Sequence, residues 1–316
     1  MEQLKRLAEA LRERCPTLEL RAEEPMSRHT TFRIGGPAAL MALPKTEEEA
    51  ALTLCAAREM EITPFFLGNG SNLLVADEGY DGFVLKPAGE LEGLRVVPPE
   101  RPGLNWRLEA GCALSLARLS RAALEHGLTG LEFAQGIPGS VGGAVTMNAG
   151  AYGGEMCQVV RRVAFLDQAG EPGEMEGETL GFSYRHSAFS GGERLILGAE
   201  LSLVPGDREA IGARMAELGE ARRSKQPLEY PSAGSTFKRP AGQFAAALID
   251  QCGLKGMAVG GAQVSEKHAG FLINRGGATC ADILKLAELV RSRVLRETGV
   301  ELELEIKTLG PCALEE

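Results

Sequence analysis

The sequence lacks any apolar stretch long enough to cross a lipid bilayer. Even its longest unbroken apolar runs, such as Ala38–Leu43, are short. A membrane-spanning helix needs about 20 such residues. Residues 1–15 carry charged side chains around an apolar stripe of Leu4, Leu7 and Leu11. This pattern is typical of an amphipathic surface helix and not of a secretory signal. We therefore expect a soluble chain in the cytoplasm, without a membrane partner.

Closely spaced cysteines are also absent. The seven cysteines are odd in number, the nearest two in sequence are 28 positions apart, and no Cys-x-x-Cys pattern or Cys/His cluster occurs. Zinc sites take their ligands from closely spaced pairs, and disulfide frameworks occur in small secreted domains with even cysteine counts. The sequence therefore predicts free, mostly buried thiols and no metal site.

Positive charge is scarce, because 34 Lys and Arg residues face 43 Asp and Glu residues, for a formal net charge of −9. This balance disfavours a nucleic-acid partner, and an anionic ligand would need Arg, Lys or backbone amides placed next to it. The chain also lacks the GxGxxG dinucleotide fingerprint, the GxxxxGK[ST] phosphate loop and the GxSxG nucleophile elbow. Rossmann, P-loop and α/β-hydrolase functions are therefore not supported.

Glycine, in contrast, is abundant, with 40 residues in 316 against an average share of about 7%. Two glycine-dense loops follow apolar segments, namely Gly68–Asn72 and Gly136–Gly143, and the second continues into Asn148–Gly153. Glycines let successive backbone N–H groups converge on a phosphate without obstruction by side chains. Either loop alone is more often an ordinary turn, but the two together with Arg33–Gly36 favour a dinucleotide site.

Periodicity and capping signals predict a mixture of helices and strands. Thr46 and Glu49 form a capping-box pattern, and Val300–Ile306 alternates strictly between apolar and acidic side chains, as a strand does. Helices are expected at 46–60, 114–126, 208–225, 243–252 and 279–299, strands at 63–67, 73–76, 159–166, 195–204 and 300–306, and a loop at 136–154. The last helix should bury one face made of Ile283, Leu286, Leu289, Val290 and Val294. Because the elements follow no regular repeat, the chain is predicted to be α+β with several lobes.

Seven motifs, in order along the chain, resemble those of the UDP-N-acetylenolpyruvoylglucosamine reductases. TTFRIGGP, LGNGSNLL and GIPGSVGGAVTMNAGAYG, at 30–37, 67–74 and 136–153, are similar to the FAD-binding segments of that family. FSYRHS, KQP, AGSTFK and EIKTLG, at 182–187, 225–227, 233–238 and 305–310, are similar to its catalytic segments. Each motif is weak alone, but the ordered set is specific and spans about residues 25–310.

The resemblance implies a fold and a reaction. The fold is α+β, with a two-lobed FAD-binding module of the vanillyl-alcohol-oxidase-like type in 1–95 and 96–212 and a smaller α+β substrate-binding domain in 213–316. The reaction reduces the enolpyruvyl ether of UDP-N-acetylglucosamine enolpyruvate to UDP-N-acetylmuramate in peptidoglycan precursor synthesis, with electrons from NADPH through FAD. The FAD should be non-covalent, because neither glycine loop contains a His or Cys. The expected partner is the UDP-sugar, without nucleic acid or membrane, on a monomer or weak oligomer.

The resemblance also assigns residues. Ser235 matches the proton donor to the enolate, Arg185 the residue that pairs with the substrate carboxylate, and Glu305 the third catalytic position. The expected FAD contacts are Arg33, Gly68, Asn69, Gly70, Ser71, Asn72, Gly136, Gly139, Ser140, Gly142, Gly143, Asn148, Gly150 and Gly153. Tyr184, Lys225 and His268 are the expected substrate contacts, with no metal ligand. His268 stands where some members carry Gln, so a structural role is as plausible; Arg239 stands where some carry Asn.

Two other functions remain open from the sequence. One is an FAD-linked oxidase or dehydrogenase of another substrate, which would need a different third domain. The other is a non-catalytic flavin- or nucleotide-sugar-binding protein, which would have lost at least one of Arg185, Ser235 and Glu305. Since no Tyr lies between Arg185 and Lys225, the chain resembles the shorter form of the family, without a tyrosine-bearing lid loop.

Overall fold

The computed structural model describes residues 2–101 and 103–312. They form two compact units. Unit 1 takes the described residues of 2–21, 40–69 and 82–221, and unit 2 takes those of 22–39, 70–81 and 222–312. Unit 2 thus combines three segments that are far apart in sequence. The predicted division into 1–95, 96–212 and 213–316 stays a prediction.

Helices and strands alternate irregularly along the described chain. The α-helices are α1 Glu2–Arg14, α2 Glu47–Glu59, α3 Leu116–Glu125, α4 Val141–Thr146, α5 Arg208–Lys225, α6 Ala245–Gln251 and α7 Cys280–Thr298. The strands are β1 Glu19–Pro25, β2 Pro37–Leu43, β3 Phe65–Phe66, β4 Leu73–Val75, β5 Tyr80–Leu85, β6 Leu94–Val97, β7 Trp106–Gly111, β8 Leu128–Thr129, β9 Gly150–Ala151, β10 Gly154–Glu155, β11 Val160–Leu166, β12 Pro172–Glu176, β13 Leu195–Pro205, β14 Ala258–Val259, β15 Ala262–Val264, β16 Leu272–Asn274 and β17 Lys307–Leu309. This mixture is the predicted α+β class.

Unit 1 is organised around an antiparallel sheet of order β12-β11-β13-β7-β6, with β8 also paired to β13. In its centre Leu201 of β13 lies opposite Leu108 of β7, and both are fully buried. The short helix α4 packs on β13 and β7 and places Val141 and Val145 in the same core. This packing fixes the second glycine loop on a rigid sheet.

Unit 2 has its own core between α6, α7 and the antiparallel sheet β14-β15-β16. A second pairing in this unit is parallel, between β17 and β4, with Thr308 opposite Leu74. Because β4 directly follows the first glycine loop, this pairing joins the end of the described chain to that loop. A four-stranded sheet has the order β1-β2-β5-β3.

Helix-end signals located the long helices well. The bounds of α5 are those predicted. Thr279 and Asp282 form a reciprocal capping box at the start of α7, and Gly299 ends it with a left-handed φ of 72°, the conformation that glycine adopts without strain. The stripe of Leu4, Leu7 and Leu11 on α1 is buried, as expected.

Four expectations were wrong in detail. Leu289 is 45% exposed, because at 3.6 residues per turn it lies about 120° from Ile283 around the helix. The Thr46 box is only half made: Thr46 accepts from Glu49 N, but the Glu49 carboxylate accepts from Lys45 N and the Thr17 hydroxyl.

The other two concern whole segments. The loop 136–154 contains α4, which begins at the cap Ser140, and the hairpin β9–β10. Glycine-rich sequence has low helix propensity, which conceals α4. Val300–Ile306 is not a strand, since it pairs only through a bridge of Leu304 with Phe237, and the strand is the following segment, β17.

All seven cysteines are free thiols, of which Cys55 is exposed, Cys157 and Cys312 are half-buried, and the other four are buried. No helix among residues 2–101 and 103–312 is both long and apolar enough to span a membrane.

Candidate functional site

The two glycine loops lie against each other within unit 1. A Cβ added to Gly68 would come 2.6 Å from Ser140 Oγ, and Asn69 Nδ2 donates to the Pro138 carbonyl at 3.4 Å. Ser140 is buried and caps α4 by accepting from Gly143 N at 3.4 Å. Residues 68–69 and the first turn of α4 therefore form one surface, as expected for parts of one ligand site.

The glycines of this surface differ in what surrounds them. A Cβ on Gly143 would meet only Ser140 Oγ, at an ordinary 3.5 Å, and one on Gly153 would meet nothing within 4 Å. At Gly142 it would lie 3.0 Å from Cys112 Cβ, and at Gly150 it would lie 2.7 Å from the Gly154 carbonyl oxygen. Gly142 and Gly150 thus have a packing reason, whereas a side chain at Gly143 would face open space.

Asn148 is the organising residue of this loop. It is buried and has a left-handed φ of 40°. Its Nδ2 donates to Glu155 Oε2 at 2.9 Å and to the Ser183 carbonyl at 3.1 Å, and its Oδ1 accepts from Cys157 N at 2.9 Å. The amide therefore connects the glycine loop to the segment that carries Arg185.

Arg185 lies in a tight turn. Ser183 and His186 exchange backbone hydrogen bonds of 3.0 and 3.2 Å across it, and Ser187 Oγ donates to the Thr146 carbonyl at 2.9 Å. The guanidinium carbon of Arg185 is 5.1 Å from the ring centroid of Tyr184, a cation–π contact. Both predicted residues are thus held by anchors at the end of α4.

The backbone of Arg185 is strained, with φ 55°. A left-handed conformation costs a non-glycine residue about 1–3 kcal/mol and clusters at functional sites. Six described non-glycine residues have positive φ, and four of them, Arg33, Asn148, Tyr152 and Arg185, lie in the motifs singled out above. This distribution favours a functional reason for these conformations.

In unit 2, the remaining residues of the first loop contact the chain before and after them. Gly70 has φ 59°, and a Cβ there would be 2.0 Å from the His29 carbonyl oxygen. The backbone therefore requires glycine at this position whatever ligand lies beside it. Asn72 Nδ2 donates to the Glu305 carbonyl at 3.1 Å, and Lys307 N donates to the Asn72 carbonyl at 2.9 Å. Ser71 is half-buried and Arg33 exposed.

The structure brings Ser235 and Glu305 together in unit 2. Glu305 N donates to the carbonyl of Thr236 at 2.8 Å, and Thr236 N donates to the Gly270 carbonyl at 2.8 Å. Thr236 is fully buried, and its Oγ1 accepts from Leu272 N at 3.1 Å. Ser235 itself is exposed and Glu305 is half-buried, unlike the exposed Glu301 and Glu303.

Thr236 was not predicted as part of the site, because no sequence pattern marks a buried hydroxyl that accepts a hydrogen bond from the backbone. The buried pair of His29 Nε2 and Glu24 Oε1, 2.9 Å apart beneath Gly70, was missed as well. Its only sequence signal is that His29 immediately precedes the Thr30 motif.

His268 has structural contacts. Its Nδ1 accepts from Gly270 N at 3.2 Å, and its ring packs edge-on against Phe271 at 4.8 Å. Burial holds the pKa of His268 below its usual range, so the imidazole stays neutral at neutral pH. Because Gly270 in turn holds Thr236, these contacts favour a supporting role over a direct substrate contact.

The other two basic candidates lie at the surface of unit 2. Lys225 is the exposed last residue of α5. The Arg239 guanidinium carbon lies 4.5 Å from the Phe244 ring centroid, and both side chains are exposed. Each could reach an anionic ligand from the solvent side.

Two family models match the chain. One, described as an FAD binding domain, matches residues 38–175 and so covers the paired glycine loops. The other, described as the C-terminal domain of UDP-N-acetylenolpyruvoylglucosamine reductase, matches residues 226–309, which include Ser235 and Glu305. Fold and models together define an FAD-dependent oxidoreductase.

Whole-chain relatives identify the family. The UDP-N-acetylenolpyruvoylglucosamine reductase of Caldanaerobacter subterraneus is 47% identical over 304 residues, which cover 96% of this chain and 98% of that protein. That of Heliobacterium modesticaldum is 47% identical over 289 residues, 91% of this chain and 90% of that protein. A crystal structure of the Thermus caldophilus reductase matches with a TM-score of 0.78 at 37% identity, covering 93% of this chain and 99% of that one. The chain therefore belongs to the UDP-N-acetylenolpyruvoylglucosamine reductase family, which confirms the resemblance and, with it, FAD as cofactor.

Proposed function

We propose that the chain reduces the enolpyruvyl ether of UDP-N-acetylglucosamine enolpyruvate to UDP-N-acetylmuramate, with FAD as cofactor and NADPH as electron donor. The observation that carries this proposal is the 2.8 Å backbone pairing of Glu305 with Thr236. It pairs the backbone of Glu305 with that of the residue next to Ser235 within one unit, which supports a shared role for the two side chains. Addition of hydride to an enolpyruvyl ether leaves an enolate that must receive a proton, and a fixed donor of this kind supplies it.

Different residues donate the proton, bind the substrate carboxylate and contact the UDP-sugar. Ser235 holds the proton that goes to the enolate carbon. Arg185 binds the substrate carboxylate in a bidentate manner and stabilises the negative charge that develops there. Glu305 acts as a neutral acid or as an orienting group next to that carboxylate. Tyr184 and Lys225 contact the UDP-sugar, while His268 supports the turn that holds Thr236.

FAD would be held in unit 1 by residues 68–69 and the second glycine loop, and the family resemblance also assigns Arg33 to FAD. This surface fits a pyrophosphate, because Gly143 N makes only a long 3.4 Å hydrogen bond to Ser140 Oγ and a Cβ at Gly143 would meet only that oxygen. The chemistry that FAD supplies when bound is two-electron hydride transfer from NADPH to the substrate. Asn148 fixes the loop from inside, since its amide is engaged by three protein groups.

Gly143→Ala is expected to weaken FAD binding without harming the fold. The new methyl meets only Ser140 Oγ at 3.5 Å, and alanine is a better helix former than glycine by about 1 kcal/mol. If the methyl displaces the pyrophosphate from one charged hydrogen bond, about 1.5–3 kcal/mol is lost, or roughly 10- to 100-fold in affinity. Fluorescence titration of the apoprotein with FAD measures this loss.

The matched control is Gly212→Ala in α5, where the added Cβ makes an ordinary 3.5 Å contact with Leu124. Its FAD affinity should equal that of the wild type, and its thermal stability should be equal or higher. Wild-type FAD affinity in Gly143→Ala would remove the first turn of α4 from the cofactor site.

The FAD is expected to be released completely by acid precipitation. Burial raises the pKa of Cys112, the thiol next to Gly142, to about 12, and burial, followed by Glu155, also raises the pKa of Cys157. Both therefore remain protonated at neutral pH and are poor nucleophiles toward a flavin. Absorbance spectra of the supernatant and the pellet decide the matter: yellow protein in the pellet would show a covalent link.

The overall function is tested by two sequential measurements under anaerobic conditions. NADPH should bleach the bound flavin, and the enolpyruvyl UDP-sugar should then restore its colour with formation of one product per flavin. An oxidase of another substrate would be reoxidised by oxygen and not by the UDP-sugar. A non-catalytic binding protein would not bleach at a useful rate.

We further infer the short form of the enzyme, because the interval from Arg185 to Lys225 consists mainly of β13 and α5 and has no Tyr. We also propose that the protein is a cytoplasmic monomer or weak oligomer. It binds no nucleic acid, because its net charge is negative.

A further inference from the structure

Two cysteines that are 32 positions apart in sequence lie next to each other in unit 2. Cys280 is the first residue of α7, and Cys312 follows the end of β17. Their Sγ atoms are 3.7 Å apart, and both are reduced thiols. Cys312 lies seven positions after Glu305, but the proposed reaction uses no thiol.

The two cysteines are held by one turn, residues 76–79. Asp77 accepts from Cys280 N at 2.8 Å and from Ala281 N at 3.1 Å, so its carboxylate caps α7. On the other side, Ala76 N donates to the Leu309 carbonyl at 2.9 Å. A common anchor therefore fixes the distance between the backbones of the two cysteines.

The chain between this anchor and Cys312 is also tightly placed. Gly310 approaches the turn so closely that a Cβ there would be 2.2 Å from the Gly79 carbonyl oxygen. Cys312 N donates to the Gly310 carbonyl at 2.8 Å, and its Sγ is 3.3 Å from the Leu309 carbonyl oxygen. The thiol pair is therefore part of an ordered segment.

We propose that Cys280 and Cys312 form a reversible disulfide site, oxidised by small-molecule disulfides. A disulfide has an S–S distance of about 2.05 Å, so the sulfur atoms must approach by less than the length of one C–S bond. Rotation of the half-buried Cys312 side chain supplies a movement of this size.

The oxidation proceeds by two thiol–disulfide exchanges. The Cys312 thiolate attacks a small disulfide, breaks its S–S bond, releases one small thiol and becomes a mixed disulfide. Cys280 then loses its proton to solvent and attacks Cys312 Sγ, which releases the second small thiol. Two protein thiols are oxidised, and one small disulfide is reduced to two thiols.

The second exchange should be slow at neutral pH. Burial and the carboxylates of Asp77 and Glu78, which all remain once Cys312 is a mixed disulfide, raise the pKa of Cys280 above its usual range. A raised pKa keeps the thiol protonated at neutral pH, so its reactive thiolate fraction grows as pH rises. Closure should therefore accelerate from about pH 7 to about pH 9.

Closure would restrain the segment that carries Glu305. The same segment holds the first glycine loop, through Lys307 N with the Asn72 carbonyl and through Asn72 Nδ2 with the Glu305 carbonyl. A disulfide at Cys312 fastens the far end of this segment to the start of α7. Cross-links of this kind stabilise mainly by restricting the unfolded chain.

The test uses the FAD-loaded protein and oxidised glutathione. Intact mass should fall by two hydrogen atoms, and peptide mapping under non-reducing conditions should join the peptides of Cys280 and Cys312. The midpoint of thermal unfolding should rise by several degrees and return to its starting value with dithiothreitol. Cys312→Ser should show neither change, whereas the control Cys55→Ser, at an exposed cysteine, should behave as the wild type.

Peptide mapping of the wild type decides the proposal even if a cysteine variant folds poorly. The proposal is overturned if, at about pH 9, oxidised glutathione yields no internal cross-link, if the cross-link joins other cysteines, or if a glutathione adduct on Cys312 accumulates without closing.

Discussion

Ser235→Ala should retain FAD and be reduced by NADPH at nearly the wild-type rate, but it should be reoxidised by the enolpyruvyl UDP-sugar roughly 10²–10⁴-fold more slowly, the range for loss of a positioned acid. Flavin reduction needs no proton from this hydroxyl, whereas the enolate cannot become product without one. Stopped-flow absorbance of the flavin measures the two half-reactions separately. Hydride addition can still occur reversibly, so deuterium from the reduced flavin should enter the vinyl carbon without net product.

The substitution Ser235→Ala should not disturb the surrounding structure. Ser235 is exposed, and Thr236 is held by its backbone and its own hydroxyl rather than by the neighbouring side chain. Removal of one oxygen at Ser235 should therefore leave the pairing with Glu305 in place. Ser292→Ala, at a serine on α7 of the same unit, is the control and should leave both half-reactions unchanged. If both half-reactions slow together in Ser235→Ala, the serine is structural, and if neither slows, it is not the proton donor.

The pattern of caps and periodicity was enough to locate the helices whose ends carry local signals. Thr279 and Gly299 mark α7 because capping depends on residues adjacent in sequence. The short helix α4 was not predicted because Val-Gly-Gly-Ala has neither helical periodicity nor helix propensity. Its only sequence signal is the N-cap residue Ser140. In the segment Val300–Ile306, Leu302 and Ile306 are buried, as the alternation predicted, but a strand also needs a partner. That partner, Phe237, is remote in sequence, so no local pattern could show how short the pairing is.

The site was harder to derive than the fold. Ser235 and Glu305 are far apart in sequence, and only the family resemblance suggested that they act together; the structure adds the hydrogen bond from Glu305 N to Thr236. It also separates Glu305 from Glu301 and Glu303 by burial, which alternation alone could not do. The left-handed conformation of Arg185 had no sequence signal, since nothing in Tyr-Arg-His demands it.

Two glycines show most clearly what a sequence motif cannot predict. Gly70 and Gly143 both belong to motifs that favour a phosphate site, and the sequence gives them equal weight. In the structure, the backbone of His29 excludes a side chain at Gly70, whereas a methyl group at Gly143 fits. A glycine that serves the fold and a glycine that serves a ligand differ only in their surroundings, so substitution at Gly143 is the informative one.

Arg185→Lys should lower kcat by on the order of 10²-fold or more, the scale for loss of one donor to a developing oxyanion. Lysine keeps the charge, but its single ammonium group cannot copy the planar, two-point contact of a guanidinium with a carboxylate. Flavin reduction by NADPH should be nearly unchanged, because it does not involve the substrate carboxylate. Steady-state kinetics with the UDP-sugar, together with single-turnover reoxidation, measure the effect.

Two further variants separate this role from a structural one. Arg121→Lys, at an exposed arginine on α3 paired with Glu125, should have wild-type kinetics. Arg185→Gly removes the guanidinium and also relieves the left-handed strain at φ 55°, which costs a side-chain-bearing residue about 1–2 kcal/mol. It should therefore be as stable as the wild type or more so, yet reduce the UDP-sugar no faster than Arg185→Lys. A protein that loses stability in Arg185→Gly but keeps near-normal turnover in Arg185→Lys would place Arg185 in the fold and not in the reaction.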